Sequence, residues 1–217
     1  MAKFCALVAG ATGAVGREVV KQLLDDPEVA LVQIVVRRTT GQQHPRLVEF
    51  VTDFDDLPEF AQRHPQLLSV DAVFCCLGTT LRAAGSREAF EKVDYHYVVK
   101  LAELASARKV PSFLMISAVG ASTRAAAFYS RVKGRAEEAV NELSFTSLHV
   151  LRPSLLMGPR DEHRPGEAAA QKLAPLLSPF LMGALAKYRP VQTSAVAAEM
   201  IRLARQDRPG AYIHHLG

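Results

Sequence analysis

The chain has 217 residues, 49% of them hydrophobic and 22% charged, the balance of an ordinary globular protein. That length suits one domain, residues 1–217, able to bury a core without disulfides or a structural metal. The formal charge is +4 and the pI about 9.1, yet Lys and Arg are scattered rather than blocked, which argues against a nucleic-acid patch.

Phe4–Ala9 is a short apolar run that reads as a buried strand. It leads straight into a glycine turn with no cleavage region before it, so it does not read as a signal peptide. The pattern then predicts a helix over Ala14–Leu24, ended by Asp25, Asp26 and Pro27, and an apolar strand over Val29–Val36. A shorter strand over Leu47–Val51 precedes a polar segment, Asp53–His64. Val70–Leu77 is a continuous apolar run, the mark of a central parallel strand. A long helical stretch follows over roughly Ser86–Arg108, then a strand over Ser112–Ser117, a helix over Phe128–Leu143 and a strand over Phe145–Leu151. Beyond Pro153 come a loop rich in Pro, Gly and charge, helices near Glu167–Leu177 and Ser194–Arg205, and a terminal strand, Ala211–His214. Repeated βαβ units of one polarity predict an α/β doubly wound parallel sheet, a Rossmann fold, with a short C-terminal segment (152–217) shaping the substrate side.

Cys5, Cys75 and Cys76 each sit in an apolar run. An odd number with an adjacent pair offers neither a disulfide framework nor metal-ligand spacing, and reads as reduced thiols in the cytoplasm. His96, His214 and His215 lack carboxylate or cysteine partners at ligand spacing, so no metal is expected. No run reaches the ~18 apolar residues that span a bilayer.

Gly10-Ala11-Thr12-Gly13-Ala14-Val15-Gly16 lies between a predicted strand and a predicted helix, the context in which such a turn binds a dinucleotide. Gly10 permits the tight exit from the strand, Gly13 lets backbone approach the pyrophosphate, and Gly16 lets helix and sheet pack closely. The helix dipole then favours the phosphates at the first amides. NAD sites usually carry Asp or Glu at the end of the second strand, but here Arg37 and Arg38 follow Val36. Two guanidiniums suit a 2′-phosphate, so NADP(H) is the expected cofactor.

Tyr129 and Lys133 lie four residues apart in a predicted helix, hence on one face. The lysine charge can lower the tyrosine pKa and its ammonium can hold the nicotinamide ribose. Ser117 ends the preceding strand, where a hydroxyl can bind a substrate carbonyl. In a doubly wound sheet these positions all fall at the carboxyl ends of strands, where ligands bind.

Together GATGAVG, the Ser117 strand end and YSRVK resemble the short-chain dehydrogenase/reductase superfamily in its atypical NAD(P)-binding branch. FCCLGTT (Phe74–Thr80), VDYHYV (Val93–Val98), FYSRVKG (Phe128–Gly134), Arg152-Pro153, RPGE (Arg164–Glu167) and the terminal IHHLG further resemble the Tat-interacting protein family of oxidoreductase-like proteins. The resemblance implies a Rossmann fold with NADPH. It assigns Gly10, Thr12, Gly13, Ala14, Val15 and Gly16 to the pyrophosphate, and Arg37 and Arg38 to the 2′-phosphate. Asp53 and Phe54 would lie by the adenine, Cys76, Leu77, Gly78, Thr79 and Pro153 along the cofactor, and Tyr129 and Lys133 by the ribose. Where a better-known member has two serines the chain reads Ser117-Ala118, so one hydroxyl is absent.

Three functions fit this pattern. One is hydride transfer between NADPH and a small carbonyl or alcohol, with Ser117, Tyr129 and Lys133 as the catalytic residues. Another is an NADPH-binding redox sensor without turnover, and a third a protein-interaction factor with a structural cofactor. Nucleotide-sugar epimerisation is disfavoured by the short segment after Pro153. Arg160-Asp161-Glu162-His163-Arg164 could meet an anionic substrate or stay solvated. The apolar stretch Leu173–Tyr188 could cover the cofactor, pack the core or form the contact of a homodimer.

Overall fold

The computed structural model of the protein describes residues 3–158, 189–206 and 208–217. In chain order, β1 (Phe4–Ala9) leads through α1 (Ala14–Asp25) to β2 (Val29–Val36), β3 (Leu47–Val51), α2 (Leu57–Arg63) and β4 (Ala72–Cys75). Then come α3 (Leu81–Ala84), α4 (Arg87–Glu91) and α5 (Tyr97–Ala107), the last two joined by a π-helical turn at Lys92–His96. The chain continues through β5 (Ser112–Ile116), α6 (Phe128–Asn141), β6 (Ser147–Pro153), β7 (Leu156–Met157), β8 (Val191–Gln192), α7 (Thr193–Ala204) and β9 (Gly210–Leu216).

Seven strands form one sheet in the order β3-β2-β1-β4-β5-β6-β9, and every pairing is parallel. The chain winds outward from β1 to β3, then returns to place β4 on the other side of β1. That reversal between β1 and β4 leaves a crevice at the carboxyl ends of the strands. The expected α/β doubly wound parallel sheet is therefore the observed one.

Alternation along each strand splits the core in two. Ala6 and Val8 of β1 pack with Phe74, Val19 and Leu23 of α1, and Met200 of α7. Leu7 and Ala9 point the other way, toward Leu57 of α2, Leu101 of α5 and Val140 of α6. With both faces covered, the strands carry apolar residues at successive positions, which is why Ala72–Leu77 reads as an unbroken run after Asp71.

Several boundaries differ from the sequence expectation, each for a visible reason. The sheet keeps only Ala72–Cys75 of the run at 70–77, because residues 76–79 peel away over the glycine turn. Phe145 is left outside β6 and stacks on Phe113 at 5.0 Å, so the strand starts two residues later and ends at Pro153. Helix α2 lies within the polar segment; only Leu57 and Ala61 are buried in it, too few to declare a helical period. The long helix does begin where Ser86 accepts from the Ala89 amide at 3.0 Å, but the π-helical turn interrupts it. The expected helix at 167–177, the 160–164 cluster and the 173–188 stretch lie outside the described residues.

Candidate active site and cofactor cleft

The glycine turn is shaped by contacts that exclude side chains. Gly10 has φ +81°, and a Cβ on it would lie 2.4 Å from the Cys76 carbonyl oxygen. A Cβ on Gly16 would lie 2.1 Å from the Gly10 carbonyl oxygen, so α1 can seat on β1 only without one. Gly13 starts α1 with no side-chain cap, which leaves the first amides open at the positive end of the helix.

These amides face a cleft of about 830 Å³ at the carboxyl ends of the strands. Gly10, Thr12, Gly13, Ala14 and Val15 line one side of it, Arg37 the end of β2, and Cys76, Leu77, Gly78 and Thr79 the end of β4. Asp53 and Phe54 line it, as do Ser117, Tyr129 and Lys133. Three of the expected residues do not. Gly16 lies behind the turn against Gly10; Arg38 is exposed beyond the rim; Pro153 is buried in β6, where its carbonyl receives the Val119 amide at 3.2 Å. Neither Arg37 nor Arg38 forms an ion pair among the described residues.

At the outer end Phe54 stacks on Tyr97, with ring centroids 5.3 Å apart, and the Tyr97 hydroxyl donates to Asp53 Oδ1 at 3.3 Å. Lys100 Nζ holds the Phe54 and Asp55 carbonyls, each at 3.1 Å, and Lys92 pairs with Asp55 at 2.6 Å. The Lys92 ammonium, by its hydrogen bond, holds the Asp55 carboxyl below its usual range. Burial pushes the Tyr97 phenol up. Tyr97 and Lys92 are not among the expected site residues: the sequence predicts only a helical stretch here, and contact with the loop after β3 arises in the fold.

At the inner end Ser117 is 3% exposed and, among the described residues, its Oγ has no hydrogen-bond partner, an unspent donor and acceptor facing the cleft. Tyr129 packs against Phe90, with centroids 5.6 Å apart, while 37% of it stays exposed. Lys133 is buried, with Nζ 2.8 Å from Asp94 Oδ1 and 3.4 Å from the Ile116 carbonyl oxygen. Burial pulls the Lys133 ammonium toward neutrality, but the charges of Asp94 and Tyr129 outweigh it and its pKa ends raised. The Cys75 thiol is pushed up to about 11 by burial, and burial raises Cys76 as well. Both thiols stay protonated at neutral pH, which suits lining rather than nucleophilic roles.

Two further residues shape this end, and their roles appear only in the fold. Gly134 lies in the quoted FYSRVKG run, and a Cβ on it would stand 2.3 Å from the Ser122 carbonyl carbon. The loop after β5 thus rests directly on α6, and Ser122 N donates to the Ser130 carbonyl at 3.1 Å. Asp94, inside the VDYHYV run, is fully buried.

Among the described residues no group of three His, Cys, Asp or Glu side chains could hold a metal ion. No helix among them is long and apolar enough to cross a membrane.

Comparison with known proteins agrees with this architecture. Residues 10–172 match the NAD(P)H-binding protein family. Protein HTATIP2 of Rattus norvegicus is 38% identical over 168 residues, covering 76% of this chain and 68% of that protein. Protein fmp52-1, mitochondrial, of Aspergillus terreus is 35% identical over 169 residues, covering 76% and 72%. The Bordetella bronchiseptica enzyme WbmH, solved in complex with NAD+, superposes with a TM-score of 0.73 at 16% identity, covering 99% of this chain and 76% of that one. The oxidoreductase ylbE of Lactococcus lactis superposes with a TM-score of 0.68 at 19% identity, covering 97% and 90%. The Rossmann sheet, the glycine turn over an open helix end and the match over residues 10–172 make this chain a member of the NAD(P)H-binding family, homologous to HTATIP2 and the fmp52 proteins.

Proposed function

We propose that the protein is an NADP(H)-dependent oxidoreductase of the short-chain dehydrogenase type, acting on a small carbonyl or alcohol. The observation that carries this reading is the shared cleft. Ser117, Tyr129 and Lys133 line the inner end of the same cavity whose other wall is the glycine turn.

The residues present fit the cofactor. The uncapped amides of α1 suit a pyrophosphate, and Arg37 at the end of β2, in no ion pair among the described residues, suits a 2′-phosphate, with Arg38 adding charge nearby. The Asp53–Phe54 wall with Tyr97 suits an adenine. Bound there, the nicotinamide supplies hydride. Ser117 Oγ, without another partner among the described residues, orients the substrate oxygen, and Tyr129 gives that oxygen a proton as charge develops on it. Lys133 holds the ribose and favours the phenolate that Tyr129 leaves behind. In the oxidative direction the same proton returns to Tyr129.

We read residues 1–217 as one domain, with 152–217 shaping the substrate side, and the three unpaired cysteines as fitting a reducing compartment such as the cytoplasm. The fungal relatives are named mitochondrial, so cell fractionation decides the compartment.

NADPH oxidation against a broad carbonyl panel tests the reaction, with Tyr129→Phe and Lys133→Ala as controls. Turnover that both variants lose by a factor of about a hundred or more supports it. Tight NADPH binding without turnover on any substrate replaces it with a binding protein that reads the cofactor's redox state. Preference for NADH would remove the 2′-phosphate role of Arg37.

A further inference from the structure

We propose that Asp94 is a positioning residue for the reactive end of the cleft: its two oxygens hold the Lys133 ammonium and the Thr79 amide, and this hold keeps Lys133 charged beside Tyr129. The proposal deepens the function given above and rests on it only where cofactor binding is the readout.

Lys133 and Asp94 show 4% and 0% of their side chains, so the ammonium has almost no water to solvate it. A buried amine without a counter-charge sheds its proton rather than stay ionised. Among the described residues the groups that face Lys133 are few. Asp94 comes from the π-helical turn, Tyr129 from α6 itself, Cys75 from β4, and the Ile116 carbonyl from the end of β5. Cys75 is a neutral thiol at physiological pH, which leaves Asp94 as the carboxylate in ion-pair contact. Asp94 Oδ1 lies 2.8 Å from Nζ, while Oδ2 accepts from the Thr79 amide at 2.8 Å. One side chain therefore ties α6 to the loop after β4, the two walls between which the nicotinamide end would lie.

The backbone is adapted to this contact. Asp94 sits within the π-helical turn, at the break in an otherwise continuous helical stretch, and such turns concentrate at functional sites. Opposite, a Cβ on Gly78 would meet both Asp94 Oδ1 and Lys133 Nζ at 3.4 Å, so the loop backbone packs over the ion pair and shields it.

Asp94→Asn tests the proposal because it keeps the shape, and an acceptor for Thr79, while removing the charge. In cofactor-free protein, ¹⁵N NMR of the lysine Nζ should show Lys133 still protonated throughout the neutral range in the wild type. In Asp94→Asn it should lose the proton in the neutral range, at least about two pH units earlier. NADPH affinity, read by fluorescence titration, should be nearly flat across that range in the wild type. In Asp94→Asn it should be close to wild type at a pH of about 6 and weaker by about tenfold or more at about 8. Asp94→Glu should restore the flat profile. A purely structural role would weaken binding equally at every pH and leave the Lys133 titration unmoved, and either result overturns the proposal. Should the wild type not bind NADPH, the cofactor reading fails while the NMR titration still decides the role of Asp94. Should Asp94→Asn not fold, the wild type still decides: a Lys133 that deprotonates in the neutral range with Asp94 in place overturns it.

Discussion

The Glu137 carboxylate takes both Nε and Nη2 of Arg152, at 3.0 and 2.5 Å, and so clamps α6 onto β6. The side chains are only 8% and 19% exposed, and the pairing is the two-pronged kind that arginine makes best. Glu137→Ala leaves a partly buried guanidinium without its partner. It should cost about 3 kcal/mol, the low end for a broken buried pair because Arg152 still reaches some solvent. The double variant Glu137→Leu, Arg152→Met should cost much less than Glu137→Ala alone, as read by urea denaturation. Equal losses would mean that the helix, not the charge pair, is being probed.

Gly134→Ala should be costly for another reason. Its methyl would stand 2.3 Å from the Ser122 backbone, and backbone cannot swing aside as a flexible side-chain end can. We expect a loss of about 1–3 kcal/mol. That corresponds to roughly 2–4 °C in Tm per kcal/mol for a chain of this size, measured by calorimetry. Tyr129 and Lys133 share this helix, so NADPH affinity should fall with it. An unchanged Tm would show that the loop has room to move.

The two arginines should separate. Arg37 lines the cleft and Arg38 does not. Arg37→Ala should weaken NADPH binding by roughly tenfold to a hundredfold, the worth of about 1.5–3 kcal/mol for a hydrogen bond to a charged group. Arg38→Ala should cost less. Calorimetric titration with NADPH and NADH distinguishes the causes, because NADH lacks the 2′-phosphate and its affinity should hardly move. An equal loss for both cofactors would assign Arg37 to packing.

His149 predicts a pH dependence of stability. Its Nε2 meets Ser147 Oγ at 2.9 Å and its Nδ1 meets His214 Nε2 at 2.9 Å, while Ser147 donates to the Arg208 carbonyl. Burial, together with the nearby His214, Arg208 and Arg202, holds the His149 pKa down from 6.5 to about 4. Between those values the unfolded chain takes up a proton that the native ring refuses. This contribution is therefore whole above pH 6.5, is lost as pH falls toward about 4, and changes no further below that. In urea titrations His149→Phe should show a shallower fall in stability over this interval than the wild type. Parallel slopes would place the acid sensitivity in the carboxylates instead.

What was readable in advance follows the range of the interactions. Gly10 and Gly16 are separated by six positions, and their shared constraint is local turn geometry. Arg37 ends a strand recognisable from its own apolar run, and Tyr129 and Lys133 share a helix face by spacing alone. Asp94 is different: it reaches Lys133 across 39 positions and through a π-helical turn that no helical period announces. His149 and His214, 65 positions apart, become partners only when β9 pairs with β6.

The amino-acid sequence by itself determined the βα rhythm, the parallel sheet, the glycine turn over a helix end and the lack of an acidic residue where NAD sites carry one. Each is written in patterns of a few neighbouring residues, because hydrophobic period and turn chemistry act over that distance. Only the tertiary structure decided that Arg37 and not Arg38 lines the cleft, that Lys133 is buried against Asp94, and that Gly134 lies against Ser122. Those outcomes depend on strand register and on the angle at which α5 and α6 meet the sheet. Many side chains set both together through burial, and no short stretch of the chain records them.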